Sequence, residues 1–347
     1  MNDEFLFLRI TEIKSETLDA RSYWLEPVDG RPVSYRAGQF LTLIIEHGGH
    51  EVRRSYSLSS APGVDQQLRL TIKRITNGEI SRYLLDTLEV GDVLTCLPPA
   101  GRFTLDPDHS GDVLLLGAGS GITPLFSILK HTLQTEPDRR ITLLYSSSNE
   151  RDIIFRDELD HLQGLFSDRF RLLYLLSSPS DNWQGLIGRL NNMMLERLLP
   201  TLIGSDFNTV RCYVCGPADY MRMVRFTLVF SGLGPEQIRQ ENFVINPVVR
   251  TPPPALAVDR TVLLRFRGRE INIQVPAYKS ILQAALDEGV SLPYSCKGGR
   301  CSTCTARCLS GSVHMTINDV LTDKDLRDGW VLTCTGYPES DGVVLEI

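Results

Sequence analysis

Residues 112–131 read DVLLLGAGSGITPLFSILKH, and the hydrophobic period changes within them. Val113 to Leu116 form a continuous apolar run, as in a strand buried on both faces, and Leu125, Ile128, Leu129 and Leu133 then recur at helical spacing. Glycines stand between them at 117, 119 and 121, so a buried strand is expected to turn through a glycine loop into a helix, with Thr123 as N-cap and Pro124 as first helical residue. Backbone at such a turn can approach a dinucleotide pyrophosphate closely. The loop is not the G-x-G-x-x-G fingerprint, because Ile122 occupies its last position.

Working outward, the apolar runs ITLLYS, RLLYLLSS and RCYVCGP follow downstream, each separated by a helical stretch, and this alternation predicts a parallel sheet across 106–247. Upstream, residues 1–105 carry short alternating strands, FLFLRITEI, RSYWLEP, QFLTLIIE, RRSYSLSS, LRLTIKRI and DVLTCLPP, broken at turns such as Asp29-Gly30 and Gly48-Gly49. Their spacing predicts a small antiparallel barrel. Residues 248–259 are Pro-rich without periodicity and read as a semi-rigid linker. Beyond it, 260–347 contains a hairpin turning at Arg267-Gly268, a short helix in SILQAALDEG and a closing strand in VVLEI.

The last segment also contains YSCKGGRCSTCTARC, residues 294–308, with four of the chain's eight cysteines. Cys296, Cys301 and Cys304 make C-x4-C-x2-C, and Cys334 follows later. Three thiolates from one loop and a fourth from a distant segment is the plant-type [2Fe–2S] pattern. Gly298 and Gly299 are expected to give the loop conformations that side chains forbid and to aim N–H groups at the sulfurs. Four cysteines also suit zinc, which more often takes two short paired knuckles. Cys308 lies outside the spacing and reads as a buried small hydrophobe.

Composition narrows the remaining classes. A chain of 347 residues fits two or three domains, and its net charge of −6 with scattered Lys and Arg argues against a nucleic-acid grip. No stretch approaches the roughly 20 apolar residues of a membrane span. The start, MNDEFLFLRI, lacks a secretory leader pattern, so reduced cysteines and a cytoplasmic protein are expected.

The loop LPYSCKGGRCSTC resembles the cluster loop of plant-type ferredoxins, which implies a β-grasp domain. Residues 1–247 resemble the ferredoxin–NADP reductase family through RRSYSLSS, the following KRITNGEISRYL and then LLLGAGSGITP, in that order. The resemblance places Tyr56 against the flavin ring, Ser57 at flavin N5 and Arg54 on the flavin phosphates. Gly78 and Ser81 match its G-x-x-S segment at a helix N-terminus, where a plain helix cap is the alternative for Ser81. Gly117, Gly119, Gly121, Thr123 and Pro124 would receive the nicotinamide nucleotide. Cys215, Gly216 and Pro217 match its C-G-P element, whose cysteine lies near the nicotinamide; a buried strand cysteine is the alternative. QENFVINP falls where the family closes over the flavin, which implies Glu241 and Phe243 as residues supporting those that touch it. The Arg that commonly reads a 2′-phosphate is missing from YSSSNERD, where Ser146, Ser147, Ser148 and Arg151 stand, and this favours NADH over NADPH.

The whole order, flavin barrel, nucleotide domain and C-terminal ferredoxin, resembles the reductase components of bacterial multicomponent oxygenases, of the phenylacetyl-CoA epoxidase type. Reductases of hybrid-cluster proteins share it. The resemblance implies FAD, NAD(P)H and a [2Fe–2S] cluster, with a separate electron-accepting partner protein. Phthalate-type relatives use FMN instead, and a redox-sensing electron-transfer subunit is the rival class.

Overall fold

The structure is a computed structural model that describes residues 5–76, 78–106, 111–203, 207–243 and 258–347. Most of the expected linker lies outside the described residues. The chain divides into two compact units, Met1–Glu241 and Asn242–Ile347.

The first unit opens with six antiparallel strands, β1 (Leu6–Thr17), β2 (Ala20–Pro27), β3 (Phe40–His47), β4 (His50–Ser57), β5 (Leu68–Lys73) and β6 (Val93–Ala100). They are ordered β4-β3-β6-β1-β2-β5. Alternation along them sends Leu8, Ile10, Tyr23, Leu25, Leu41 and Leu43 into one core. The two ends of the sheet meet where Leu58 bridges Leu70 and the Ser59 N–H donates to the Arg69 carbonyl at 2.8 Å. That closure makes the barrel. One helix, α1 (Glu79–Thr87), packs Ile80, Leu84 and Leu85 against it.

Six further strands follow, β7 (Val113–Ala118), β8 (Ile141–Ser147), β9 (Phe170–Leu176), β10 (Leu186–Ile187), β11 (Arg211–Cys215) and β12 (Ile238–Glu241), in the order β10-β9-β8-β7-β11-β12. All neighbouring pairs are parallel. Helices α2 (Ile122–Thr135), α3 (Arg156–Leu165), α4 (Asn192–Ile203) and α5 (Ala218–Phe230) connect them. Two separate cores, one around Leu115 and one around Leu116, explain why β7 reads as an unbroken apolar run. The chain leaves β7 toward β8 on one side and later adds β11 on the other, so a topological switch point lies between β7 and β11. Ligands of such sheets bind beyond the carboxyl ends of the strands at that point.

The second unit is a mixed sheet of β13 (Arg260–Phe266), β14 (Arg269–Val275), β15 (Thr305–Ser310), β17 (Trp330–Leu332) and β19 (Val343–Glu346), ordered β14-β13-β19-β15-β17. Helix α6 (Ile281–Asp287) packs on it, β16 (Val313–Met315) pairs with β18 (Gly336–Pro338), and the short α7 (Asp323–Arg327) lies against β17. Ile281, Leu282 and Ala285 of α6 share a core with Val262, Leu264 and Leu345. This is the expected β-grasp arrangement.

Candidate functional site

Arg54, Tyr56 and Ser57 all lie on β4, and alternation puts the first two on one face. Tyr56 is half-buried against the barrel core, and burial pushes its phenol up to about 12. Ser57 is buried, and its Oγ has no hydrogen-bond partner among the described residues. An orphaned hydroxyl costs free energy unless a ligand completes it, so this end of β4 fits a bound group with polar atoms. Gly78 is the N-cap of α1, whose first-turn N–H groups receive no side-chain cap. The Ser81 hydroxyl accepts from the Ile75 N–H at 3.2 Å and donates to the Gly78 carbonyl at 3.2 Å, drawing the turn tight around that terminus.

At the switch point, β7 ends in a short 3₁₀ turn, Gly119–Gly121, that runs straight into α2. This corrects the expected cap. Gly121 is the N-cap and Thr123 lies inside the first turn, with its hydroxyl donating to the Ser120 carbonyl at 3.0 Å. Pro124 accordingly falls at the third helical position, still within the turn that has no partner for its N–H. The cause lies at Gly121, which already has helical φ −61° and ψ −11°, so no extended residue is left there to serve as a Ser/Thr cap.

Gly121 needs its missing side chain: a Cβ there would sit 2.1 Å from the Cys215 carbonyl oxygen and 2.7 Å from the Gly216 nitrogen. Gly117 is register partner to Cys215, and a Cβ on it would lie 2.9 Å from Leu125. Gly119 is left-handed, with φ 55°, and a Cβ on it would meet nothing within 4 Å. A tight turn bordering open space is a fitting cradle for a pyrophosphate. Gly216 packs on Ala118, and Pro217 caps the start of α5.

Cys215 is fully buried at the end of β11, and burial followed by the nearby Glu241 charge pushes its thiol well up. Glu241 is its register partner on β12. That carboxyl is pushed up to about 8 by burial. Strand β12 is not legible in the sequence, because IRQE carries no apolar alternation. Phe243 falls in the second compact unit and is partly exposed.

In that unit, the loop before β15 supplies Cys296, Cys301 and Cys304, while Cys334 follows β17. The thiols contact in two pairs, Cys296 with Cys301 and Cys304 with Cys334. The hydrogen bond from Cys301 pulls the Cys296 thiol down, and that from Cys304 lowers Cys334. Among the described residues no three His, Cys, Asp or Glu gather around one point that could hold a metal ion. Two thiol pairs suit two neighbouring irons better than one tetrahedral zinc. The Gly298 N–H lies 3.4 Å from the Cys296 sulfur, as expected of a cluster loop. The expected role of the two glycines is half corrected: Gly299 is left-handed, but Gly298 is not, and Lys297 and Ser302 take the other left-handed positions. Cys308 is likewise corrected, being half-buried with its thiol donating to the Ser310 carbonyl at 3.3 Å, because its strand lies near the surface.

Sequence comparison supplies the family. Residues 8–105 match an oxidoreductase FAD-binding domain, 115–226 an oxidoreductase NAD-binding domain and 264–339 a 2Fe-2S iron-sulfur cluster binding domain. The ferredoxin reductase component of 3-ketosteroid-9-alpha-monooxygenase from Mycobacterium tuberculosis is 34% identical over 99% of this chain and 96% of its own. A component of the 1,2-phenylacetyl-CoA epoxidase of Escherichia coli is 33% identical over 99% and 97%. The chain belongs to the ferredoxin reductase components. Among solved structures, phthalate dioxygenase reductase is 25% identical with a TM-score of 0.61, covering 99% of this reductase and 98% of that one.

The reductase thus has FAD-binding, NAD-binding and [2Fe–2S] domains, and it passes electrons from NAD(P)H through flavin to cluster. No helix among the described residues is long and apolar enough to cross a membrane. Two features of the site escape a reading of the sequence. Thr303 places its hydroxyl 3.3 Å from the Cys301 sulfur. Glu150, just past β8, accepts from the Ser180 N–H at 3.1 Å, and hydrogen bonds from Ser180 hold its carboxyl below the usual range. The second depends on a contact thirty positions away, which local spacing does not encode, and the first on a loop conformation that the cysteine spacing leaves open.

Proposed function

We propose that this reductase draws hydride from NADH and delivers single electrons to a separate oxygenase partner, in the cytoplasm. When bound, the flavin accepts electrons in pairs and the cluster passes them one at a time. The chain's own residues divide the remaining work. The Arg54 guanidinium pairs with flavin phosphate, for which its fixed fork is suited. Tyr56 lies against the ring, and the unpartnered Ser57 hydroxyl meets N5, where it can donate or accept. Gly78 and Ser81 shape the α1 N-terminus for the pyrophosphate.

Gly117, Gly119, Gly121, Thr123, Pro124, Gly216 and Pro217 form the nucleotide cradle. Cys215 borders the nicotinamide, and Glu241 keeps a proton there up to about pH 8. Glu150 supports the NADH preference, since an ionised carboxylate two residues beyond Ser148 in the chain would repel a 2′-phosphate bound at the serines. One observation carries the reading. The glycine turn of β7 and the end of β11 meet at the switch point beside the buried Glu241 carboxyl, in a chain whose relatives over nearly its full length are monooxygenase reductase components.

Turnover of candidate oxygenases reconstituted with the purified reductase tests the partner. NADH-driven product formation by at least one is expected. Reductase that fully reduces flavin and cluster yet supports no oxygenase would remove the partner assignment. A higher kcat/KM with NADPH would overturn the coenzyme choice.

A further inference from the structure

Helix α2 serves both halves of the first unit. Its first turn belongs to the nucleotide cradle, and two turns later it is bonded to the loop that follows β4. The Ser127 hydroxyl donates to the Ser60 carbonyl at 2.5 Å and accepts from the Gly38 N–H at 3.4 Å. His131 Nδ1 lies 3.0 Å from the Pro62 carbonyl oxygen. Between these, the Lys130 ammonium is ion-paired with Asp65, whose Oδ2 also accepts the Ala61 N–H at 2.6 Å.

A second pair of reversed polarity lies alongside. Arg69 of β5 donates to both oxygens of Glu158 on α3, at 2.9 and 3.1 Å. Its guanidinium lies 5.2 Å from the Phe126 ring centre and 4.8 Å from that of Phe155, and the Lys130 ammonium is 4.6 Å from Phe126. Phe126 and Phe155 stack at 4.4 Å. Phe155 is left-handed, with φ 62°, a conformation a bulky side chain keeps only where its surroundings over-determine it.

Buried ion pairs are a poor source of stability, because desolvation offsets much of their attraction. Burial and then the Arg69 charge push the Lys130 ammonium down to about 8, so the charge is kept at a cost. Register is the better reason for it. From Lys130 to the cradle α2 runs about 12 Å, so a tilt of roughly 5° at the joint moves the nucleotide end by about 1 Å. A displacement of about 1 Å can cost a reaction on the order of 100-fold.

Resting on the electron-transfer reading above, we propose that Lys130 and Asp65 are positioning residues for hydride transfer, fixing how α2 presents the nicotinamide to the flavin strand β4. Full-length reductase with both cofactors is followed by anaerobic stopped-flow with NADH and with NADPH. Lys130→Met removes the charge and keeps the stem; Lys130→Arg keeps the charge. Asp65→Asn is nearly isosteric at a side chain one-third exposed and carries the test alone should Lys130→Met fail to fold.

Lys130→Met and Asp65→Asn should cut the limiting rate of flavin reduction about tenfold or more, weaken the long-wavelength nicotinamide–flavin charge-transfer absorbance, and leave flavin content and nucleotide Kd within about threefold. Lys130→Arg should recover most of the rate. Limiting rates within about twofold of wild type for Asp65→Asn, or a Lys130→Met defect that is wholly in Kd, would overturn the proposal. Wild-type protein whose flavin neither nucleotide reduces would instead overturn the reading beneath it, and the proposal with it.

Discussion

Cys215 and Glu241 are register partners on adjacent parallel strands, the first at the switch point and the second one strand beyond it, and both are buried. A thiol and a carboxyl withdrawn from water favour their neutral forms. For Glu241 this has a definite pH signature. Its folded value of about 8 lies above the unfolded value, so the stability tied to its proton is complete below about pH 4.5 and is lost as pH rises through 8. At roughly 1.4 kcal/mol per unit the loss amounts to several kcal/mol. Denaturant unfolding followed by flavin fluorescence should therefore give a falling midpoint between pH 5 and 8, and Glu241→Gln should flatten it. An unchanged slope in the variant would place the titration elsewhere.

Cys215→Ala should slow flavin reduction while both cofactors stay bound, because the thiol lines the proposed reacting edge and ligates nothing. Truncating it also opens a small cavity, with a stability cost of about 1 kcal/mol. A stopped-flow rate equal to wild type would make Cys215 a core residue alone.

Gly121→Ala should damage nucleotide use far more than its size suggests. The added methyl meets backbone at Cys215 and Gly216, which cannot rotate away as a side chain could. Flavin content is expected to hold while kcat/KM for NADH falls on the order of 100-fold, as for a displacement of about 1 Å. Near-normal kinetics would contradict the close approach of β7 and β11.

Sequence legibility follows the range of the forces involved. The barrel strands, β7 to β9, β11 and the cluster cysteines are readable because alternation, apolar runs and thiol spacing are local. Strand β12 is not, since Arg239 and Gln240 are polar and the strand exists by pairing with β11. Thr123 imitates an N-cap because a Ser/Thr-Pro pair resembles a helix start, whereas the glycine turn has already begun the helix. The Lys130–Asp65 and Arg69–Glu158 pairs join residues more than sixty positions apart. Nothing in either local stretch marks its partner.

The cluster makes its own prediction. Protein purified anaerobically should contain about two irons and acid-labile sulfide per chain, with about one flavin, since four thiolates bind one two-iron cluster. Replacing Cys334 with Ser should bleach the iron–sulfur absorbance and leave the flavin spectrum. Stoichiometric zinc without iron would refute the cluster assignment despite the paired thiols.

The central claim is that hydride transfer belongs to the first unit and single-electron delivery to the second. A chain ended at residue 250 tests it most directly, because the two compact units part at 241. It should fold, be yellow instead of brown, and reduce ferricyanide with NADH at close to the full-length rate. Reduction of cytochrome c or of the oxygenase partner should collapse. Partner turnover by the shortened chain at the full-length rate would contradict the account, leaving the cluster unit outside the electron path.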